Sequence, residues 1–317
     1  MKLPELRIGH LVAKIPIIQG GMAVRISTGR LAAAVAKEGG IGVIAASGMT
    51  LDELRNEIGL ARSLSGGQGI IGINAMVAAR CFLDLIKTAM DAGIDLIIAG
   101  AGFSRDMFAV GREHGVPIVP IVASVKAARI SQTLGAAAVI VEGKEAGGHL
   151  GTDQPMHVLV PAIKKSVSIP VIAAGGIING HDIVEAFKLG ADGVQMGTRF
   201  AASEESAADP AFKNMYVNAK KEDIVMIHSP VGLPGQAIIN PFAEKTLAGT
   251  APKPEKCMSC LKHCEQNFCI IDALNRAQQG DVETGLVFAG EHVYRINDVL
   301  PVKEIFRRLL QEVEINN

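Results

Sequence analysis

Short runs of apolar residues recur along the first two thirds of the chain, and most are closed by glycine, alanine or serine. Within each run valine, isoleucine and alanine follow one another with little apolar–polar alternation. Such continuous runs are typical of parallel strands that are buried on both faces. The pattern predicts eight strands, at Ile15–Gly20, Ile41–Ala46, Gly69–Met76, Asp95–Gly100, Pro117–Val122, Ala138–Gly143, Pro170–Gly175 and Gly193–Thr198.

The segments between these runs carry apolar residues at the i, i+3, i+4 spacing of an amphipathic helix. Strands begin ~20–30 residues apart, which is the spacing of repeated strand–helix units. We therefore predict an α/β fold, a (β/α)8 TIM barrel, with a doubly wound sheet as the alternative because periodicity alone does not prove closure. The predicted helices are Gly29–Glu38, Leu51–Ser63, Ala79–Ala92, Ser104–Glu113, Ser124–Leu134, Val158–Ser166 and His181–Leu189.

The rhythm changes after Phe200. Helices are predicted over Ala201–Ala219, Ile271–Gln279 and Val299–Glu314, whereas the proline- and glycine-rich stretch Ser229–Pro254 is predicted to be irregular. The predicted organisation is a barrel over residues 1–200, a small appended region over the barrel mouth at 201–290, and a C-terminal helix packing on the barrel within 291–317.

Composition narrows the class of protein. The 317 residues are 49% hydrophobic, which suits one large barrel. A net charge of −1 without a basic block argues against a nucleic-acid partner. No apolar run reaches the ~20 residues that a membrane span needs. Without a recognisable secretory h-region, the expected location is cytoplasmic, where the five cysteines would stay reduced.

The segment from Ala138 to Gly151 is the most informative part of the chain. It predicts a buried strand that runs into a glycine-rich loop presenting His149. Glycines at a strand exit let backbone amides approach a flat or anionic ligand, because no Cβ stands in the way. The segment therefore predicts a cofactor site with an acid–base residue beside it, and a glycine-rich turn with a solvated histidine is the alternative.

Other strand exits carry candidate chemistry, because barrel active sites lie at the carboxyl ends of the strands. Gly21 and Met22 follow the first strand, and Asn74 is an amide within an apolar run, where a hydrogen-bonded core position is the alternative. Lys126 follows the fifth strand, either beside an electron-rich heterocycle or as a solvated lysine at a helix start. Glycine turns end the last two strands, at Ala174-Gly175-Gly176-Ile177 and Gln195-Met196-Gly197-Thr198-Arg199, and predict a phosphate site.

These motifs together resemble the nitronate monooxygenase family, formerly called 2-nitropropane dioxygenase, which includes enoyl-[acyl carrier protein] reductase II. The resemblance covers most of residues 1–200 and returns at Gly280-Asp281-Val282 and Ala289-Gly290-Glu291. It implies a barrel that binds FMN. The family's cofactor contacts fall on Gly21, Met22, Asn74, Lys126, Glu142, Gly147, Gly148, Gly175, Gly176, Gln195, Met196, Gly197 and Thr198.

The resemblance also implies the catalytic residues. The family's catalytic histidine falls on His149, which in monooxygenase members takes a proton from the carbon next to a nitro group. Lys126 would stabilise the anionic reduced flavin, and NAD(P)H would be the electron donor of a reductase. Two positions depart from the family pattern: Glu291 stands where glutamine is common, and Gln236 where we expect arginine.

Four cysteines lie within thirteen residues, as Cys257-x2-Cys260-x3-Cys264-x4-Cys269. In a reducing compartment this spacing predicts a metal centre held by all four thiolates, a [4Fe–4S] cluster with zinc or free thiols as alternatives. His263 keeps a mixed ligand set open. Cys81 is predicted to be an ordinary buried thiol.

The predicted function is an FMN-dependent oxidoreductase of this family, with nitronate oxidation as its nominal activity. Reduction of an enoyl thioester or another activated alkene is the alternative, and a cluster would favour it by supplying single electrons, for which a ferredoxin-type donor is a candidate. The non-catalytic alternative is a flavin and iron–sulfur electron carrier or redox sensor. A homodimer is left open.

Overall fold

The eight apolar runs all form strands, and these strands close into one parallel barrel. The computed structural model describes residues 3–254 and 257–316. Barrel strands neighbour one another in chain order, and the eighth pairs with the first through Met196 and Gln19. The TIM-barrel prediction is confirmed, and the doubly wound alternative is wrong. The strands are β1 (Leu6–Ile8), β2 (Leu11–Ala13), β3 (Ile17–Gln19), β4 (Ile41–Ala45), β5 (Ile70–Met76), β6 (Leu96–Gly100), β7 (Ile118–Val122), β8 (Val139–Glu142), β9 (Gly148–His149), β10 (Val171–Ala174), β11 (Gly193–Met196), β12 (Ile224–His228) and β13 (Pro234–Ile238).

Helices connect successive barrel strands, and all seven predicted ones are present. Local sequence sets their ends: Thr50 and Glu53 form a capping box before the second helix, and Gly66 ends it in the left-handed conformation. The helices are α1 (Gly29–Lys37), α2 (Leu51–Ser65), α3 (Phe82–Asp91), α4 (Asp106–His114), α5 (Val125–Leu134), α6 (Met156–Lys164), α7 (Gly180–Lys188), α8 (Thr198–Ala201), α9 (Pro210–Asn218), α10 (Pro241–Leu247), α11 (Ile270–Gln278) and α12 (Val302–Ile315).

The barrel interior is filled by branched side chains, among them Ile18, Val43 and Ile98. The β1–β2 hairpin, which the sequence pattern did not predict, packs Leu6 and Ile8 into the same cluster. The hairpin therefore covers the amino-terminal end of the barrel, and the site must lie at the opposite, carboxyl end.

The segment Ser229–Pro254, predicted to be irregular, instead contains β13 and α10. β13 forms an antiparallel hairpin with β12, which ends just before that segment, and also pairs with β9 from the loop after β8. α10 follows, with Asn240 accepting the Ala243 N–H as its N-cap. This three-stranded sheet joins the appended region to the loop that carries His149.

The last helix, α12, packs on the barrel against α1 and α7. Phe306 contacts Phe200 with ring centroids 5.8 Å apart, and Glu312 accepts the Gly180 N–H at 2.7 Å. The boundaries between the three predicted parts of the chain remain a prediction. Among the helices described, none combines the length and the apolar character that crossing a bilayer requires.

Candidate active site

A cavity of about 250 Å³ opens at the carboxyl ends of the barrel strands. It is lined by turns that follow β3, β8, β10 and β11, and its outer wall comes from the appended region. All the predicted cofactor contacts except Lys126 line it: Gly21, Met22, Asn74, Glu142, Gly147, Gly148, Gly175, Gly176, Gln195, Met196, Gly197 and Thr198. His149 lines the same cavity.

Two of these glycines are required by close approach of other atoms. A Cβ at Gly21 would lie 2.4 Å from the Cβ of Asn74, and a Cβ at Gly147 would lie 2.6 Å from the Ala289 carbonyl carbon. Real Cβ atoms do not approach so closely, so only glycine lets these backbones line the cavity.

The turn after β10 has a backbone conformation that favours glycine at two successive positions. Gly175 and Gly176 have φ of +105° and +72°, which side-chain-bearing residues rarely adopt. The His292 Nδ1–H donates to the Gly176 carbonyl at 2.8 Å, and Thr198 Oγ1 accepts the Gly290 N–H at 3.1 Å. The segment 290–292 is therefore anchored beside the two glycine turns where phosphate was predicted.

One buried polar atom at the cavity has no partner among the described residues. Gln195 is 9% exposed and lines the cavity, yet its Oε1 accepts no hydrogen bond. Leaving a buried acceptor unpaired costs about 1–3 kcal/mol, which a hydroxyl or N–H donor of a bound molecule would offset. Together with the glycine turns that line the cavity, this acceptor fits a ligand that combines phosphate, hydroxyl groups and a flat ring.

His149 is held by three contacts. Its backbone in β9 is opposite Gly235 of β13, its Nε2 lies 2.7 Å from the Ser229 Oγ, and its ring meets the Phe288 ring at 5.1 Å and 73°. Burial lowers the pKa of His149 to about 4, because an imidazolium would lose hydration without gaining a counter-charge. The ring is neutral at physiological pH.

Glu142, at the end of β8, brings a carboxyl group into the cavity. Burial raises its pKa to about 7. Tyr216 of α9 also lines the cavity, and its O–H donates to the Phe288 carbonyl. Burial raises the pKa of that phenol, so Tyr216 stays neutral and holds the segment that carries Phe288.

Part of the cavity lining is an apolar wall that comes from the appended region. Helix α11 contributes Ile270, Ile271 and Leu274 to the lining. Arg25 anchors this helix: its Nη1 donates to Asn275 Oδ1 at 3.3 Å, while its Nε pairs with Glu53 Oε1 at 2.6 Å. The wall suits an alkyl or acyl group better than a charged one.

Lys126 is exposed in the first turn of α5, outside the residues that line the cavity.

Gln236 is buried and donates from Nε2 to the Ala146 carbonyl at 2.8 Å, so it stabilises the loop before His149. Glu291 donates its backbone N–H to the Glu145 carbonyl at 3.0 Å and does not line the cavity. The structure therefore assigns Gln236 a structural contact, and neither Lys126 nor Glu291 lines the cavity.

The cysteine prediction is not supported. Cys257 and Cys264 are exposed and Cys260 and Cys269 half-buried, and within the described ranges no three Cys, His, Asp or Glu side chains converge on a point where a metal could bind. Three of the four thiols instead line a separate cavity of about 440 Å³. Burial, and after it the neighbouring thiols, raise the pKa of Cys260. Cys81 is exposed rather than buried, which corrects that prediction too.

Several residues of the site, some of which line the cavity and one of which contacts His149 without lining it, carried no sequence signal. Ser229 lies 80 residues from His149 and in a stretch that the pattern predicted to be irregular. Phe288 and His292 follow no periodic element, although both flank the Ala289-Gly290-Glu291 motif. That motif was the one available hint that residues near 290 return to the site.

A closed (β/α)8 barrel with a glycine-lined cavity and a histidine at its carboxyl end defines a class of TIM-barrel oxidoreductase enzymes. The chain belongs to one family of that class: the nitronate monooxygenase family model matches residues 5–92 and 67–312. A probable nitronate monooxygenase of Staphylococcus saprophyticus is 30% identical over 289 residues, with 77% of this chain and 81% of that protein covered.

Three further proteins are similar. The (3aS,4S,5R,7aS)-5-hydroxy-7a-methyl-1-oxo-octahydro-1H-indene-4-carboxyl-CoA dehydrogenase of Mycobacterium tuberculosis is 32% identical, and the match spans 74% of this chain but only 66% of that relative. Among solved structures, FabK from Thermotoga maritima superposes with a TM-score of 0.85 at 36% identity, covering 95% of this chain and 93% of FabK. A nitroalkane oxidase of Streptomyces ansochromogenes shares the fold at 24% identity and a TM-score of 0.82.

Proposed function

We propose that this chain is an FMN-dependent oxidoreductase that acts on a carbon beside an electron-withdrawing group, with His149 as its acid–base residue. The observation that carries the proposal is the neutral His149 ring, which lines the same cavity as the glycine turns. The family as a whole is flavin-dependent.

The residues present fit FMN. Backbone at Gly175, Gly176 and Gly197, with Thr198, would hold the phosphate. The unpaired Gln195 Oε1 would accept from a hydroxyl group of the side chain of the cofactor, and Gly21 and Gly147 would lie against the ring system. When bound, FMN would supply two-electron oxidation or reduction of the substrate. Lys126 as a flavin contact remains a prediction.

Oxidation of an alkyl nitronate is the first candidate reaction, since it is the nominal activity of the family to which the chain belongs. When the substrate arrives as the neutral nitroalkane, a neutral imidazole with a free nitrogen can take the proton from the carbon next to the nitro group, which leaves the nitronate to be oxidised. His149 is half-buried and lines the cavity, so a substrate bound there can reach its ring.

Reduction of an enoyl thioester is the second candidate, and the apolar wall of α11 favours it. A short nitroalkane does not need such a wall, whereas an acyl chain would bury its methylene groups there at about 0.8 kcal/mol each. Similarity to FabK, an enoyl-ACP reductase II, and to a CoA thioester dehydrogenase supports the same class. NAD(P)H would be the reductant.

A non-catalytic electron carrier is less well supported. Such a protein would not need an open pocket, and none of residues 229–254 lines the cavity or plugs it. The ferredoxin-type donor was inferred from the cysteine cluster and loses that basis.

The experiment that tests the proposal compares wild type with His149→Ala. Released cofactor should be FMN by mass in both proteins, and the flavin spectrum should be retained. Turnover should fall roughly 10²–10⁴-fold, in an aerobic assay with a neutral nitroalkane or an anaerobic assay with NADPH and an enoyl thioester. FAD in place of FMN, or an unchanged rate with the accepted substrate, would contradict the proposal.

A further inference from the structure

We propose that Ser229 is a positioning residue for His149, and that its hydroxyl allows this one histidine to hold either ring tautomer. The inference rests on the proposed role of His149 and adds how the protein sets the proton on its ring. Ser229 lies outside every motif that pointed to the site.

The Ser229 hydroxyl has a fixed position. The residue is fully buried, its N–H donates to the Leu233 carbonyl at 3.2 Å, and its own carbonyl accepts the Gly232 N–H at 2.9 Å. These two hydrogen bonds close the β12–β13 turn on Ser229. The Oγ therefore meets the His149 Nε2 at 2.7 Å from a rigid backbone.

The same hairpin also holds the histidine backbone. Gly235 pairs with His149 across β13 and β9, and the Leu150 N–H donates to the Pro234 carbonyl at 2.9 Å. Serine and histidine thus belong to one small sheet, so their separation does not depend on movement of the barrel loops. The edge contact with Phe288 restricts rotation of the ring from the side.

A hydroxyl differs from the usual partners of a catalytic histidine. A carboxylate or a carbonyl can only accept, so it would hold the proton on Nε2, and a carboxylate would also stabilise imidazolium. A hydroxyl can accept from Nε2–H or donate to bare Nε2. The backbone N–H of Val231, 3.4 Å from Oγ, leaves the hydroxyl hydrogen free for either arrangement.

No charge within the described part of the cavity biases the choice of tautomer. The shift in the His149 pKa comes from burial rather than from an ion pair. The other titratable side chains lining the cavity are Glu142, Glu145, Tyr216 and His292, and none hydrogen-bonds to His149 in the described residues. Ser229 is thus the polar partner through which the ring is oriented.

The two arrangements serve the two candidate reactions. With Nε2–H donating to Oγ, the Nδ1 lone pair is free to take a proton from a carbon acid, and Nε2–H keeps its partner while the ring is charged. With the hydroxyl donating to Nε2, Nδ1 carries hydrogen and can donate a hydrogen bond to a developing enolate oxygen, as a neutral imidazole does.

The test compares Ser229→Thr with Ser229→Val, which have the same shape and differ in the hydroxyl group. Histidine ¹⁵N NMR, with His149→Ala to identify the signal, should show in Ser229→Thr the same tautomer mixture and ring pKa as wild type. Ser229→Val should shift the tautomer ratio and the pKa of His149. Its kcat should fall about 10–100-fold, with KM and FMN affinity within about twofold.

Ser203→Ala is the matched control, since Ser203 is equally buried and donates to the Phe200 carbonyl away from the cavity. It should leave the His149 signals unchanged. Identical NMR signals and pH–rate profiles in Ser229→Val and Ser229→Thr would overturn the proposal. Because the NMR readout needs no substrate, it separates this failure from that of the proposed function, which His149→Ala tests by turnover.

Discussion

His292 Nδ1 donates to the Gly176 carbonyl at 2.8 Å, and this contact holds the segment after Gly290 against the glycine turn that ends β10. A hydrogen bond of this kind contributes about 0.5–1.5 kcal/mol. We predict that His292→Ala weakens FMN binding roughly threefold to tenfold by loosening the turn.

Fluorescence titration of the apoprotein with FMN measures this effect. His292→Asn supplies the control, because its amide N–H can donate to the same carbonyl, and it should bind FMN more tightly than the alanine variant. Equal affinities in all three proteins would show that the turn does not depend on His292.

The second prediction concerns charge at the turn after β11. A Cβ at Gly197 would have only ordinary contacts, 3.8 Å from Met22 Cγ and Sδ, so a side chain can be accommodated there. Gly197→Asp and Gly197→Asn are nearly identical in shape. If the phosphate binds here, the aspartate variant should bind FMN at least 10-fold more weakly than the asparagine variant, because like charges repel at short range.

Repeating that titration in salt distinguishes charge from shape. The difference in FMN affinity between the two variants should shrink at ~1 M salt, where the Debye screening length is about 3 Å. A difference that does not respond to salt, or no difference at all, would argue against a phosphate at Gly197.

The third prediction concerns Glu142 and pH. Its pKa is about 7 in the folded protein against 4.5 as an ordinary carboxyl, so between these values the folded apoprotein holds a proton that the unfolded chain has released. The free energy of unfolding therefore falls as pH rises through this window. The full effect above pH 7 is on the order of 3 kcal/mol as an upper bound.

Glu142→Gln removes this effect. The variant apoprotein should melt at a higher temperature than wild type at pH 8 and at about the same temperature at pH 4.5, by calorimetry. Glu113→Gln, which changes an exposed carboxyl outside the cavity lining, should melt like wild type at both values. A Glu142→Gln variant less stable than wild type at pH 8 would mean that the carboxylate has a stabilising partner.

The fourth prediction separates the two substrate classes. Ile271 of α11 lines the cavity, and Ile271→Ser would place a hydroxyl in the apolar wall. With enoyl thioesters of increasing length, the variant should lose affinity progressively, by roughly 0.8 kcal/mol for each methylene that no longer packs there. A small nitronate should be affected little. The same KM change for all chain lengths would place the acyl chain elsewhere.

The barrel followed from the sequence because its determinants are local. Strands such as Ile41–Ala45 and helices such as Leu51–Ser65 were predicted within one or two residues, since an apolar run and a capping box act over a few neighbouring positions. Once eight such units are present in order, right-handed parallel pairing brings their carboxyl ends together. The glycine turns, Asn74 and His149 meet at the cavity for that reason.

The setting of His149 was decided only by tertiary structure. Its partners Ser229 and Gly235 are about 80 residues away, and strands β9 and β13 are too short to show a periodic pattern. The prolines and glycines in residues 229–254 predicted irregular structure, although β13 and the turn before it supply both contacts. β13 is a strand because it pairs with β12 and with β9 of a distant loop, not because of its local sequence preference.

For Lys126 and for the four cysteines, the sequence predicted sites that the side-chain positions do not support. Spacing along a chain places residues near one another, but it does not determine where their side chains point. Lys126 begins a helix at a strand exit and nevertheless lies exposed, and Cys257, Cys260, Cys264 and Cys269 share one loop without converging in the described residues. Side-chain direction depends on backbone conformation and packing, which the whole fold decides, whereas strand order and glycine turns are already determined by the sequence itself.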